Sequence, residues 1–313
     1  MSYKKIGIIG FGSWVKNAYL PILSNIKEVT ISHISAKTKE SLELAKNKIN
    51  NDNCKFSSDY LEVINNKDLD LIILSVPDNI HGKILDQIIS KDIDCIFEMP
   101  ISDNNKEAEA IINKIYSKNN IYIPNLEMSY LPVVDYLRDI FSNKEFGDLL
   151  TAKLKLSASW WPGFSIYSAS SWYIDVLNKI FNLFPKKVIS NIESNSNFPT
   201  ESKGSAILDY GDFLAEWEFD MESNETLSVI LDLYFEKKLI KVDLLTSEIK
   251  SENNKKISFS EPYQGWAGMK EFIINSVFEK QDKDIHMTNI EVLQKISNGL
   301  DLSMKTKDWS EIK

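Results

Sequence analysis

The chain has only two cysteines in 313 residues, Cys54 and Cys95, too few and too far apart for a disulfide framework or a zinc site. A reducing, cytoplasmic setting is expected. Arginine is almost missing: Arg138 is the single one, so any phosphate must be held by lysine, hydroxyl or backbone groups. Positive charge is in deficit, with 36 basic against 45 acidic side chains and a net charge of −9. Nucleic acid and anionic membrane surfaces need a concentrated positive field and are excluded as partners, which leaves small molecules. No apolar run reaches the roughly eighteen residues that span a bilayer, and the start of the chain lacks the apolar stretch of a signal peptide.

What is present suits two domains. Over the first 125 residues, short β-rich runs (5–9, 29–34, 71–76, 95–97, 121–123) alternate with helical stretches (18–26, 39–48, 81–90, 106–118), the pattern of a parallel sheet covered by helices. From about Leu149 longer alternating runs follow (149–156, 204–208, 213–219, 227–235, 239–245), which predict antiparallel strands, and helices at 266–278 and 290–304 close the chain. The expected fold is an α/β Rossmann domain, 1–125, followed by an α+β domain with an open, mostly antiparallel sheet, 126–313. Strands 213–219 and 227–235 carry apolar side chains beyond one face, which predicts a covered sheet and association of copies through it.

Gly10-Phe11-Gly12-Ser13-Trp14-Val15 follows the first β-run and opens a helix, where a glycine turn presents N–H groups to a pyrophosphate. The third glycine of that pattern is Val15, and an ordinary strand-to-helix turn would also read this way. Near the end of the second strand a dinucleotide site usually sets a carboxylate on the ribose. Here the segment reads Ser35-Ala36-Lys37-Thr38, with no acid before Glu40. Hydroxyls and a lysine suit a 2′-phosphate, so NADP(H) is expected in preference to NAD(H), which stays possible.

Gly10-Phe11-Gly12, Leu20-Pro21, Val76-Pro77-Asp78-Asn79-Ile80-His81, Phe97-Glu98-Met99-Pro100 and Phe146-Gly147-Asp148 together resemble, in order and spacing, the Gfo/Idh/MocA oxidoreductases across essentially the whole chain. The resemblance implies a nicotinamide in a cleft between the two domains, a sugar or cyclitol substrate, and a homodimer or homotetramer packed through the C-terminal sheet. It implies cofactor contacts at Gly10, Gly12, Ser13, Trp14, Val76, Pro77, His81, Glu98 and Met99. Two departures follow. The catalytic lysine of the family's Glu-Lys-Pro signature is Met99 here, and a thioether can neither donate a proton nor stabilise an alkoxide. The family's Asp-x-x-x-His signature aligns with Asp175 to Lys179, with lysine in place of histidine.

Asp175 and Lys179 share a helix face opposite an apolar stripe of Leu177, Phe181 and Phe184. They are either a solvated ion pair or a relocated proton donor with its orienting partner. His81, Glu98, Glu127 and Tyr130 are further catalytic candidates, Glu98 just before a Pro100 turn of cis type. Trp160, Trp161, Tyr167, Trp172 and Tyr173 crowd one loop, either pinning it or walling a pocket for a ring-shaped substrate. Two readings stay open: a reductase of imines, conjugated systems or sugar derivatives with an atypical proton donor, and a catalytically lapsed nucleotide-binding sensor or assembly protein.

Overall fold

The computed structural model describes residues 3–49, 51–159, 166–194, 201–224, 227–250, 256–259, 268–278 and 283–312. Its internal contacts group Met1–Asn125 with Tyr263–Glu291, and Leu126–Pro262 with Val292–Lys313. Among the described residues no helix is long and apolar enough to cross a membrane.

The first unit is built on six parallel strands: β1 Lys4–Ile9, β2 Val29–Ser35, β3 Lys55–Ser57, β4 Leu71–Leu74, β5 Cys95–Phe97 and β6 Tyr122–Pro124. Their order, β3-β2-β1-β4-β5-β6, is that of a doubly wound dinucleotide-binding fold and reverses direction at β1. Burial on both faces explains the continuous apolar runs, Leu71 to Leu74 being wholly inside. The helices are α1 Leu20–Leu23, α2 Lys39–Lys48, α3 Tyr60–Ile64, α4 Asp78–Ser90 and α5 Asn105–Tyr116, with α8 Met269–Phe278 packed on α1. Caps start several of them: Thr38 accepts from Ser41 N–H, Asp59 from Leu61 N–H, and Asn104 from Lys106 and Glu107 N–H, each worth about 1 kcal/mol. β3 and α3 have no counterpart among the expected elements, because a three-residue polar strand shows no period. The first helix begins before position 18. It runs through a π-helical turn, Val15–Tyr19, ahead of Pro21, which has no N–H to give and whose ring would crowd a regular α-turn.

The second unit carries β7 Leu149–Ser157, β8 Lys187–Ser194, β9 Glu201–Asp209, β10 Leu214–Asp220, β11 Ser228–Phe235, β12 Leu239–Asp243, β13 Glu248–Lys250, β14 Lys256–Ser258 and β15 Ser310–Glu311. Every neighbouring pair is antiparallel except β7 with β10. A 3₁₀ turn, Glu127–Tyr130, leads into α6 Pro132–Ser142, and α7 Ile166–Phe181 precedes β8; α9, Lys283–Thr306, starts earlier than position 290. Val133, Val134, Leu137 and Ile140 give α6 a helical apolar stripe that the expected elements omit. Phe141, Phe181, Tyr210 and Phe213 pack ring against ring beneath α7, centroids 4.8–5.9 Å apart. Phe184 is not part of that stripe: the helix stops at Phe181, Asn182 turns with φ of 50°, and Phe184 is exposed.

The buried face of β10 and β11 carries Ala215, Trp217 and Phe219 beside Val229, Leu231, Leu233 and Phe235. The other face carries paired charges. Register sets Lys241, Asp232, Lys153 and Glu216 in one row across β12, β11, β7 and β10, with ion pairs at 3.4 Å (Lys241–Asp232) and 3.1 Å (Lys153–Glu216). Lys155 and Glu218 repeat the pairing at 3.1 Å. Leu214, Ile230 and Tyr234 stand on this outer face among the charges, so these strands do carry apolar side chains beyond their buried face.

Candidate functional site

At the carboxyl ends of β1, β2 and β4 lies a cavity of about 930 Å³, where the strand order reverses and where ligands of such sheets bind. Gly10, Gly12, Ser35, Lys37, Thr38, Val76 and Pro77 line it, together with Ser41, Ser58, Asp59 and Lys83. The two glycines are required for different reasons. Gly10 has φ of 95°, and a Cβ there would lie 1.9 Å from the Ser75 carbonyl oxygen. A Cβ on Gly12 would meet no protein atom within 4 Å, so the protein itself leaves that space for a ligand to approach the backbone. The turn, the helix start behind it and the cavity fit a dinucleotide with its pyrophosphate against Gly12.

Glu98 follows β5 on the same edge of the sheet. Trp14 Nε1 donates to its Oε1 at 2.9 Å, Tyr19 OH at 2.6 Å and Asn125 Nδ2 at 3.1 Å. The Met99–Pro100 peptide is cis. Burial pushes the Glu98 carboxyl up against the pull of these donors, to about 7, with the Asp78 charge adding to the rise. Asp78, raised by burial and by Asp103, sits at about 6. His81 is 1% exposed; its Nδ1–H donates to the Ile101 carbonyl at 2.8 Å, its ring lies 6.1 Å from Phe97, and burial lowers it to about 4. A neutral, enclosed imidazole has no proton to give near neutrality. Met99, 3% exposed, fills the core. Ser13, Trp14, His81, Glu98 and Met99 are not among the cavity walls.

In the second unit Asp175 and Lys179 both hold Ser129. Asp175 Oδ2 accepts from the Ser129 hydroxyl, and Lys179 Nζ donates to the Ser129 carbonyl. Lys179 also lies 3.8 Å from Asp135 and 4.8 Å from the centre of the Tyr130 ring. Burial lowers the lysine, opposed by Asp135 and Asp175. The pair is neither a solvated face nor directly bonded: Asp175 is buried, and both clamp the turn that carries Glu127 and Tyr130. Glu127 is buried, and its charge reaches Tyr173.

The aromatic loop is corrected in part. Trp172 and Tyr173 are helical, in α7, and Tyr173 is buried. Tyr167 belongs to the same helix, while Trp160 and Trp161 lie outside the described residues. Among the described residues no group of His, Cys, Asp or Glu could hold a metal ion.

Residues 4–126 match the profile of the Gfo/Idh/MocA oxidoreductase family, NAD-binding Rossmann fold. No curated protein matches the chain by sequence. Solved structures share the fold of the whole chain at low identity. An oxidoreductase domain protein from Kribbella flavida has a TM-score of 0.84 at 12% identity, all of both chains being covered. Myo-inositol 2-dehydrogenase from Lactobacillus plantarum has 0.81 at 15%, again over all of both chains. GenD2 from gentamicin A biosynthesis, in complex with NAD, has 0.82 at 12%, over 100% of this chain and 97% of its own.

Tyr19, Ser41, Asp78, Asn125 and Ser129 are absent from the sequence-based site. Asn125 and Ser129 have no pattern to betray them, since their partners are distant in sequence.

Burial raises the Asp175 carboxyl to about 6, against the Ser129 hydroxyl and the Lys179 charge. The unfolded aspartate loses its proton near 4, so the native state binds more protons between these values and loses stability as pH rises through 6. Asp175→Asn can still accept from Ser129. Its melting temperature is expected to exceed the parent's at pH ~8, by up to about 1–3 kcal/mol of stability, with the gain gone at pH ~4. Thermal melts at the two pH values check this; an equal shift at both would remove the charge as its cause.

Proposed function

We propose that the protein is an NADP(H)-preferring oxidoreductase of a small cyclic substrate, an imine or conjugated ring or a sugar or cyclitol derivative, in which residue 99 has no part in proton transfer. The observation that carries it is the cavity wall at the end of β2: Ser35, Lys37, Thr38 and Ser41, without a carboxylate on that strand end. Thr38 is committed to capping α2, so the exposed Lys37 and the Ser41 hydroxyl are the groups left to take a 2′-phosphate. Bound there, the nicotinamide nucleotide supplies or accepts the hydride. A myo-inositol dehydrogenase among the structural neighbours favours ring-shaped substrates. Asp175 and Lys179 serve this reading by fixing Ser129 and Tyr130. Homodimers or homotetramers through the C-terminal sheet remain part of the proposal, with a paired-charge outer face as the surface offered.

Fluorescence titration with NADPH and NADH tests the reading. NADPH should bind more tightly, and Lys37→Ala should weaken NADPH about tenfold or more, the worth of one charge-assisted hydrogen bond, while leaving NADH alone. Tighter NADH binding sinks the preference. The buried Met99 favours a second reading, a catalytically lapsed sensor or assembly protein, which requires nucleotide binding with no NADPH oxidation on any imine, conjugated ring or sugar derivative.

A further inference from the structure

The two carboxyl oxygens of Glu98 are not equivalent. Oε1 accepts from Trp14, Tyr19 and Asn125 at 2.9, 2.6 and 3.1 Å, whereas Oε2 receives only the long 3.3 Å approach of the same Asn125 amide among the bonds described. Indole and amide N–H groups donate and cannot accept. A proton on Oε1 would face the Trp14 and Asn125 hydrogens and would require the Tyr19 hydroxyl to turn from donor to acceptor, whereas one on Oε2 leaves all three donors in place, so Oε2 is the favoured site of the proton. Trp14 stands two positions after Gly12, which ties this carboxyl by one hydrogen bond to the turn that fits the pyrophosphate.

We infer that Glu98 is the proton-exchanging group of the nucleotide site, giving a proton from Oε2 to the heteroatom of the bond being reduced and recovering it in the reverse direction. This rests on the oxidoreductase reading above. The step balances: the reduced nicotinamide nucleotide gives two electrons and one hydrogen to carbon, Oε2 gives the proton to nitrogen or oxygen, and water reprotonates the carboxylate. Loss of that proton leaves a negative carboxylate as the nicotinamide ring turns from neutral to cationic, so ionised Glu98 favours the oxidised nucleotide.

The group titrates in the useful range. Burial raises it to about 7 while Tyr19, Asn125 and Trp14 oppose and the Asp78 charge assists. Asp78 itself stands near 6, so it ionises first and its charge adds to the rise at Glu98. His81, on the same helix as Asp78, is neutral over this range.

Two measurements on the whole protein test the inference. In the nucleotide-free chain, tryptophan emission followed from pH ~5 to ~9, across the range set by the shifted carboxyl, should show a step that both Glu98→Gln and Trp14→Phe abolish. The glutamine keeps an oxygen for all three donors, so the variant should fold. Dissociation constants of NADP⁺ and NADPH should then diverge with pH. NADP⁺ should gain about tenfold over NADPH from the acid to the alkaline side, and Glu98→Gln should flatten the ratio. A step that survives in Glu98→Gln, or a pH-independent ratio in a protein that binds both nucleotides, overturns the assignment of Glu98 alone. Failure to bind either nucleotide overturns the oxidoreductase reading and this inference with it.

Discussion

Gly10→Ala is expected to destabilise the nucleotide-binding unit by about 3 kcal/mol or more and to abolish NADPH binding. A left-handed φ costs an alanine about 1–2 kcal/mol, and here the new methyl would also stand 1.9 Å from the Ser75 carbonyl oxygen, a backbone atom that cannot swing away. Either β1 or the end of β4 must move, and both edge the cavity. Gly12→Ala should behave differently. Its methyl meets no protein atom, so urea unfolding should be unchanged, while NADPH affinity falls at least about tenfold, or 1.4 kcal/mol, because the methyl occupies ligand space. Denaturation and nucleotide titration of the two variants separate the roles. A Gly12→Ala protein that binds NADPH normally would show that no ligand approaches that backbone.

Lys179→Ala should cost about 1–3 kcal/mol of stability, since it strips the donor from the Ser129 carbonyl in a buried turn and removes the cation beside Asp135. Arg138 still pairs with Asp135 at 3.2 Å, which limits the damage on that side. NADPH affinity should not change. With Glu98 as the proton source, turnover should fall by less than about tenfold and any loss should appear in KM. A fall of ~10²- to 10⁴-fold in kcat would instead make Lys179 the general acid. Denaturant unfolding and steady-state kinetics on one preparation decide between them.

Both predictions bear on what a sequence discloses. The glycine turn and four of the first five strands are legible because burial on both faces writes itself as unbroken apolar runs, and a glycine at a strand end has a stereochemical cause. β3 and α3 are not legible, being too short to display a period. Residue types at the site were readable, but not their company. Asp175 and Lys179 look like an ion pair at helical spacing, yet each prefers Ser129, 46 and 50 positions away, because burial rewards the partner that packing brings close. Glu98 was visible as a candidate; the indole, phenol and amide that make its oxygens unequal come from the first helix and the end of β6. Tyr173 and Phe184 show the same limit: the first was expected in a loop and is buried in a helix, the second was expected in a stripe and is left out by the turn at Asn182.

The alternating row on the outer face of the large sheet has a consequence for how that sheet finds its pairing. A slip of β11 by one residue would turn Val229, Leu231 and Leu233 toward water, the usual penalty for misregistration. It would also carry Asp232 away from Lys241 and Lys153 and bring Leu231 or Leu233 between the two lysines. Hydrophobic sorting is blind to a slip of two residues, which returns every apolar side chain to its proper face. The charge row is not blind to it: Ile230 or Tyr234 would then stand where the acid belongs. The polar face thus supplies the proofreading that the apolar face cannot, distinguishing among alignments that an oily core would accept equally.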